Sequence, residues 1–219
     1  MKRLIIAIDG PSGAGKGTIS RTLAESLGYR HIDTGAMYRA VGWKANFEGI
    51  SLDDERAVAD LAQRTDLVVE SGVVSIDGHD VTRAIRTPEI DKAAAAVARL
   101  PRVREILVGR QRKCGEAGGV VMEGRDIGTV VFPNADVKIY LDASVEERAR
   151  RRAGDTAHTG GLAGQEAVAA SIEARDRSDT TRTVSPLTIA ADAVHIDTTG
   201  MPIQQVVHAV MELVRQRNS

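Results

Sequence analysis

The sequence predicts an α/β fold, a parallel sheet with helices on both faces, interrupted once by a small β-rich insertion. Three observations carry this. Short apolar, β-branched runs alternate with helical patterns along most of the chain. The first such run leads into a glycine-rich loop, "IDGPSGAGKGT" at residues 8–18, and that loop into a helical pattern. A hairpin signal at 66–82 then breaks the alternation.

"RLIIAID", 3–9, ends at Gly10 and reads as a buried strand. Residues 16–27 read as a helix, with Ile19, Leu23 and Leu27 four apart and Gly28 as its C-cap. Residues 34–47 form a second helix ended by Gly49, and 53–64 a short third. "DLVVESGVVSIDGHDVT", 66–82, holds two β-like runs separated by Ser71-Gly72. Residues 50–95 are therefore an inserted subdomain, and 1–49 with 96–219 are the core. Helical composition resumes over 88–116, with a new helix starting near Pro101. "GVVM", 119–122, and "VKIYLD", 137–142, read as strands, followed by an arginine-rich helix over about 144–152. Residues 153–165, with Gly154, Gly160, Gly161 and Gly164, suit a mobile flap. A helix over 165–177, a strand over 193–197 and a closing helix over 202–217 complete the chain.

Composition narrows the function. The 219 residues are 42% hydrophobic and 27% charged, as expected of a soluble globular protein. Aromatics are only 3%, so the core must be built from Val, Ile, Leu and Ala. A net charge of −1 argues against a general nucleic-acid or membrane-surface binder. One cysteine, Cys114, allows no disulfide within the chain and suits a reducing cytoplasm; it reads as non-catalytic. The five histidines lack zinc-ligand spacing. The apolar run in "MKRLIIAIDG" is too short for a signal peptide or a membrane span, so a soluble cytoplasmic protein is expected.

The glycine loop carries the strongest chemical signal. Gly10, Gly13, Gly15 and Gly17 permit the backbone angles that turn successive N–H groups inward around an anion. The following helix adds the positive end of its dipole, and Lys16 reaches outer phosphates. G-x-x-x-x-G-K is the phosphate-binding P-loop pattern. Gly10, Pro11, Ser12, Gly13, Ala14, Gly15, Lys16, Gly17 and Thr18 are the predicted nucleotide-binding residues. A glycine-rich turn without a ligand is the plainer reading, but strand, spacing, lysine, hydroxyl and helix agree. Gly17 stands where the usual hydroxyl follows the lysine, so Thr18 is the candidate for holding Mg²⁺.

A second set of residues describes an acceptor. Thr34, Tyr38 and Arg39 in "DTGAMYR" offer a hydroxyl, a phenol and a guanidinium near a helix N-terminus, although Thr34 reads equally well as a plain N-cap. "VVMEGRD", 120–126, ends a buried strand in Glu123, Arg125 and Asp126, a Walker-B-like carboxylate beside a phosphate fork. Arg148, Arg151 and Arg152 share a helical face and repel one another unless an anion neutralises them. Arg175, Asp179 and Arg182 share a stripe if their helix continues that far. The two clusters flank the flap, whose closure would bring positive charge to a transferring phosphoryl group.

"IDGPSGAGKGT", "DTGAMYRA", "LPRVRE", "EGRDIGTVVFP", "VKIYLDAS" and "SPL", in that order, closely resemble the bacterial cytidylate kinase family over nearly the full chain. The resemblance implies a P-loop kinase with a five-stranded parallel sheet, a monophosphate-binding insertion with a small antiparallel sheet, and a short lid. It implies ATP as phosphoryl donor with Mg²⁺, and CMP and dCMP as acceptors. Gly10 to Thr18 would bind ATP. Thr34, Tyr38 and Arg39 would face the CMP phosphate and sugar, Arg104 and Asp126 would read the cytosine edge, and Arg125 would sit near the monophosphate. Arg175, Asp179 and Arg182 would correspond to residues at the CMP phosphate and ribose. Lys16, Arg151, Arg175 and Arg182 are the expected catalytic cations, and a monomer suits the family. The resemblance departs at Ala95, where the family carries a cytosine-recognising serine, and at Ser178, where it carries another arginine. Two other readings stay open: a P-loop kinase acting on UMP, AMP or a shikimate-like acceptor, and a nucleotide-dependent switch. The switch lacks a guanine-reading N-K-x-D segment.

Overall fold

The computed structural model describes residues 3–70, 72–155 and 164–218. Strand β1 (Ile5–Asp9) is the centre of a five-stranded sheet. It pairs with β6 (Val120–Glu123) on one side and β7 (Val137–Asp142) on the other. Beyond them lie β2 (Arg30–Asp33) and β8 (Val194–Asp197), and all four pairings are parallel. All five strands therefore end at the same edge, and each ends in a carboxylate: Asp9, Asp33, Glu123, Asp142 and Asp197. In a sheet of this kind ligands bind outside that edge.

Alternation along β1 sorts the core. Ile6 and Ile8 face helices α1 (Lys16–Leu27) and α8 (Ile203–Asn218), packing with Ile19, Leu23, Val206 and Val210. Ala7 faces the other way, toward α2 (Thr34–Phe47), α3 (Glu55–Arg64) and α5 (Pro101–Gly115), among Ile32, Met37, Val41, Val103 and Leu107. Helices thus cover both faces. The cap expected at Gly28 forms, with φ at 65° and its N–H donated to the Ala24 and Glu25 carbonyls.

The hairpin forms between β3 (Leu67–Glu70) and β4 (Val73–Ile76). Ser71 of the expected turn lies outside the described residues. A third strand missing from the sequence reading, β5 (His79–Asp80), is added through Asp77-Gly78, both at positive φ, the backbone of a tight hairpin turn. This small sheet packs Val74 and Ile76 against Ala36 and Ala40 of α2, together with Val81, Ile85 and Ile90. Helix α4 (Pro88–Val97), capped by the Thr87 hydroxyl, follows; its Ala94 and Val97 join the same cluster as Val58, Ala59 and Ala62 of α3.

Two elements differ from expectation. The helix expected to stop near 177, here α7, spans Gln165–Thr181. The Arg175–Asp179 pair lies along it, and the Thr180 and Thr181 hydroxyls donate to carbonyls of the preceding turn instead of ending it. A π-helical turn, Ile127–Val131, follows Asp126 where no element was expected. "IGTVV" gives no periodic signal, and the turn is held by a contact distant in sequence, described below. The arginine-rich helix α6 spans Val145–Ala153. Of the expected flap, residues 156–163 lie outside the described residues.

Gly10 shows how tightly the loop is seated. Its φ is 147°, and a Cβ there would lie 2.0 Å from the Leu141 carbonyl oxygen of β7. Gly10→Ala is expected to destabilise the fold by more than about 1 kcal/mol, read as a lowered urea midpoint at constant m-value.

Candidate active site

The glycine loop leaves the centre of the sheet and enters α1 through Gly15, in the left-handed region at φ 90°. It is braced from outside. The Ser12 N–H donates to Asp176 Oδ1 at 3.1 Å, and Arg148 donates to the Ser12 carbonyl at 2.9 Å while pairing with Asp176. Arg151 donates to the Ala14 carbonyl at 3.4 Å, to the Thr198 carbonyl at 2.7 Å and to Glu147 at 2.8 Å. Lys16 is buried, and its ammonium donates to the Pro11 carbonyl at 2.7 Å. Burial, and then Arg125, pull its pKa down to about 7. Glu123, Asp9 and Asp176 pull the other way, and nucleotide phosphates would add further negative charge beside it.

Glu123, at the end of β6, holds His31 at 2.8 Å. A Cβ on Gly17 would stand 3.5 Å from the Glu123 carboxylate. A longer side chain at that position would stand against the Glu123 carboxylate. Thr18 is exposed in the same cavity. A hydroxyl, a carboxylate and nucleotide phosphates form the hard oxygen set that Mg²⁺ takes. The described residues hold no cluster of three or more His, Cys, Asp or Glu that could hold a metal ion.

The acceptor side is built by β2, α2, the loop after β6, and α7. Asp33, not Thr34, caps α2: its Oδ1 accepts from the Ala36 N–H at 3.1 Å and its Oδ2 from Arg39 at 2.7 Å. The Thr34 hydroxyl instead donates to the Glu123 carbonyl at 2.7 Å, tying α2 to β6. Burial alone would raise the pKa of Asp33, but Arg39 holds the carboxyl below its ordinary value. Arg104, 2% exposed, pairs with Asp126 and lies 5.5 Å from the Tyr38 ring centroid. Arg182 approaches Asp126 at 3.6 Å and Asp179 at 3.8 Å. Asp179 also accepts from Arg125 at 2.9 Å and Arg175 at 3.2 Å. Its burial opposes ionisation, yet these three arginines keep its pKa below the ordinary value. Arg175 reaches across to the Asp91 carbonyl of α4 at 2.9 Å, and Arg152 pairs with the Asp91 carboxylate.

A single cleft of about 1340 Å³ is lined by Ser12, Gly13, Ala14, Gly15, Lys16, Gly17 and Thr18 at one end and by Thr34, Tyr38, Arg39, Arg104, Arg125 and Asp126 at the other. Arg151, Arg175 and Arg182 stand along it, with Ala95 and Ser178. Of the predicted site residues, Gly10, Pro11 and Asp179 do not line it; they lie behind its wall. Arg39 Nε, Arg104 Nε and Arg182 Nη2 are buried without a hydrogen-bond partner among the described residues.

Sequence reasoning missed the carboxylates that hold cations of the cleft, Asp33, Asp91, Glu147 and Asp176, and it missed Asp9, which accepts from two backbone N–H groups. The mutual repulsion expected among the arginines of α6 is relieved within the chain: Arg148 pairs with Asp176, Arg150 and Arg151 with Glu147, and Arg152 with Asp91. Only the Glu147 pairs, three and four residues from their arginines, were visible as helical spacing.

A phosphate loop facing a second, arginine-lined pocket across one cleft defines a P-loop phosphotransferase with a small anionic acceptor. Solved structures share the fold: an uncharacterized protein from Eubacterium ventriosum (TM-score 0.56, 11% identity, 98% of this chain and 99% of that one) and shikimate kinase from Acinetobacter baumannii in complex with shikimate (TM-score 0.50, 15% identity, 97% and 93%). The chain belongs to the cytidylate kinase family, whose model matches residues 6–216. Cytidylate kinases of Pelotomaculum thermopropionicum (50% identity, 95% of each chain) and Bacillus subtilis (48%, 99% of each) align along nearly their whole lengths. It is a kinase of the nucleoside monophosphate class, as the matching family and relatives establish.

Proposed function

We propose that the chain transfers the γ-phosphoryl group of ATP to CMP and dCMP, with Mg²⁺, in the cytoplasm and as a monomer. The observation that carries the acceptor reading is the Arg104–Asp126 pair, buried beneath Tyr38 and in the same cleft as Lys16. Asp126 is an acceptor for an exocyclic amino group, and Arg104 a donor for ring nitrogen and carbonyl. Uracil would present a carbonyl to Asp126 and leave two acceptors facing each other. The relatives' names agree with this choice. Among the described residues no helix is long and apolar enough to cross a membrane.

The chemistry asked of the chain is positioning and charge stabilisation. Lys16 and the loop N–H groups would hold the donor phosphates. Arg39 and Arg125 would hold the monophosphate, whose oxygen is already an anionic nucleophile, so no general base is required. Arg151, Arg175 and Arg182 would neutralise charge on the transferring group. Thr18 and Glu123 would hold Mg²⁺ together with the phosphates, and the ion would add further charge neutralisation there. Residues 50–95 would close on the acceptor.

The test is ADP formation from ATP and Mg²⁺ with CMP, dCMP, UMP, AMP and shikimate in turn, against a control without acceptor. CMP and dCMP should turn over at roughly 1–100 s⁻¹ and the others far more slowly. UMP turnover equal to that of CMP would move base selection away from Arg104 and Asp126, with Ala95 the first place to look. Activity with AMP or shikimate alone, or slow hydrolysis indifferent to every acceptor, would overturn the reading.

A further inference from the structure

Asp9 is the last residue of β1, directly before Gly10, and it is 5% exposed. Its two carboxylate oxygens do separate work. Oδ1 accepts from the Ile127 N–H and Oδ2 from the Gly128 N–H, each at 2.8 Å. Those are the first two N–H groups of the π-helical turn, and the residues just before them are Arg125 and Asp126. The ionisable groups that act on it are Lys16 from α1, Asp126 from the loop after β6, and Tyr140 from β7. Lys138 of β7 places its chain near Gly128 but gives its ammonium to Asp192 at 2.8 Å.

The two ends of this link are not equally stiff. β1 is hydrogen-bonded to a strand on each side, so the phosphate loop leaves a fixed base. The turn after Asp126 belongs to no sheet. We propose that Asp9 is a positioning residue for the acceptor: it anchors the loop carrying Arg125 and Asp126 to the strand that carries the phosphate loop, and so sets the base-reading edge in register with the donor. Burial gives independent support. It pushes the pKa of Asp9 up to about 6, against the pull of the two N–H groups. The unfolded chain ionises near 3.8, so ionised Asp9 costs stability above that pH, in full above about 6. A charge kept at such a cost fits a role in function rather than in stability.

The proposal rests on the acceptor reading above, and its test compares variants of a chain already shown to phosphorylate CMP, so the two fail separately. Asp9→Asn keeps the shape but turns one acceptor into a donor facing an N–H. At pH 7.5 it should raise KM for CMP by roughly 10-fold or more and leave KM for ATP within about twofold. Inhibition by cytidine, which carries no phosphate to titrate, gives the second readout. In the native chain the cytidine Ki should rise as pH falls from 8 through about 6 to 5, following protonation of Asp9. In Asp9→Asn it should be weak and flat throughout. Equal shifts in both KM values, unchanged KM values, or parallel pH profiles would overturn the proposal. Should the variant fail to fold, a native cytidine profile that stays flat over this range would overturn it alone.

Discussion

Replacing Lys16 by Ala should lower kcat by several orders of magnitude, on the order of 10³-fold, and at the same time raise the melting temperature of the nucleotide-free protein near pH 7. The first effect follows from removing the cation that would meet the outer phosphates under the proposed function. The second follows from the pKa of Lys16, lowered from 10.5 to about 7 by burial and by Arg125. Between those values the unfolded chain holds a proton that the folded chain releases. Charged Lys16 therefore costs stability below about pH 7, on the order of a few kcal/mol, and the cost fades as pH rises toward 10.5. The gain in melting temperature from Lys16→Ala should shrink over the same range. Phosphates would add countercharge, so ATP binding at pH 8 should take up as much as about one proton. Calorimetry in two buffers of different ionisation heat measures that uptake, which should vanish in the variant. Near-normal turnover in Lys16→Ala, or ATP binding with no buffer dependence, would remove Lys16 from its assigned place.

Asp179→Ala should behave in the opposite way. It leaves Arg125, Arg175 and Arg182 facing one another around a buried hole. Removing one partner from a buried charge group costs about 3–5 kcal/mol. Activity should fall with it, because all three arginines line the cleft. The pKa of Asp179 is lowered, so its stabilising contribution is present above 3.8 and lost as pH falls through the lowered value. The gap between native and variant melting temperatures should therefore close in acid. Sulfate offers a specific rescue: it should raise the melting temperature of the variant more than that of the native chain. A variant as stable as the native protein and indifferent to sulfate would show that the arginines do not depend on Asp179.

What was legible in the sequence is what local chemistry writes. The glycine loop, the Gly28 cap and the helix starting at Pro101 were readable because each depends on neighbours in the chain. The α1 and α2 boundaries were read to the residue. The cleft's cations were readable too, since arginine clusters near glycine-rich loops have few other uses. Their carboxylate partners were not. Asp9 acts across 118 residues, Asp176 across 28 and Asp91 across 61. Nothing in the local pattern distinguishes such a residue from a solvated aspartate. For Thr34 the sequence left a plain N-cap open beside a place in the acceptor site; the cap of α2 is the preceding residue, Asp33. Either side chain could cap the helix; Thr34 is drawn instead to the Glu123 carbonyl by the register that sets Asp33 beside Glu123. The π-helical turn was invisible because it depends on Asp9.

The carboxylates at the ends of all five strands have one more consequence. The sheet offers a negative rim to substrates that are themselves anions, and several arginines above it already pair with aspartates and glutamates of the same chain. Under the proposed function, nucleotide entry would be an ion exchange. A phosphate oxygen would take over a guanidinium that a carboxylate holds, as at Arg39 with Asp33 or Arg152 with Asp91. The resting cleft would then behave as a loaded resin rather than a bare cation trap. Inorganic anions, which would displace an internal carboxylate without base and sugar contacts to offset it, should compete poorly with nucleotides.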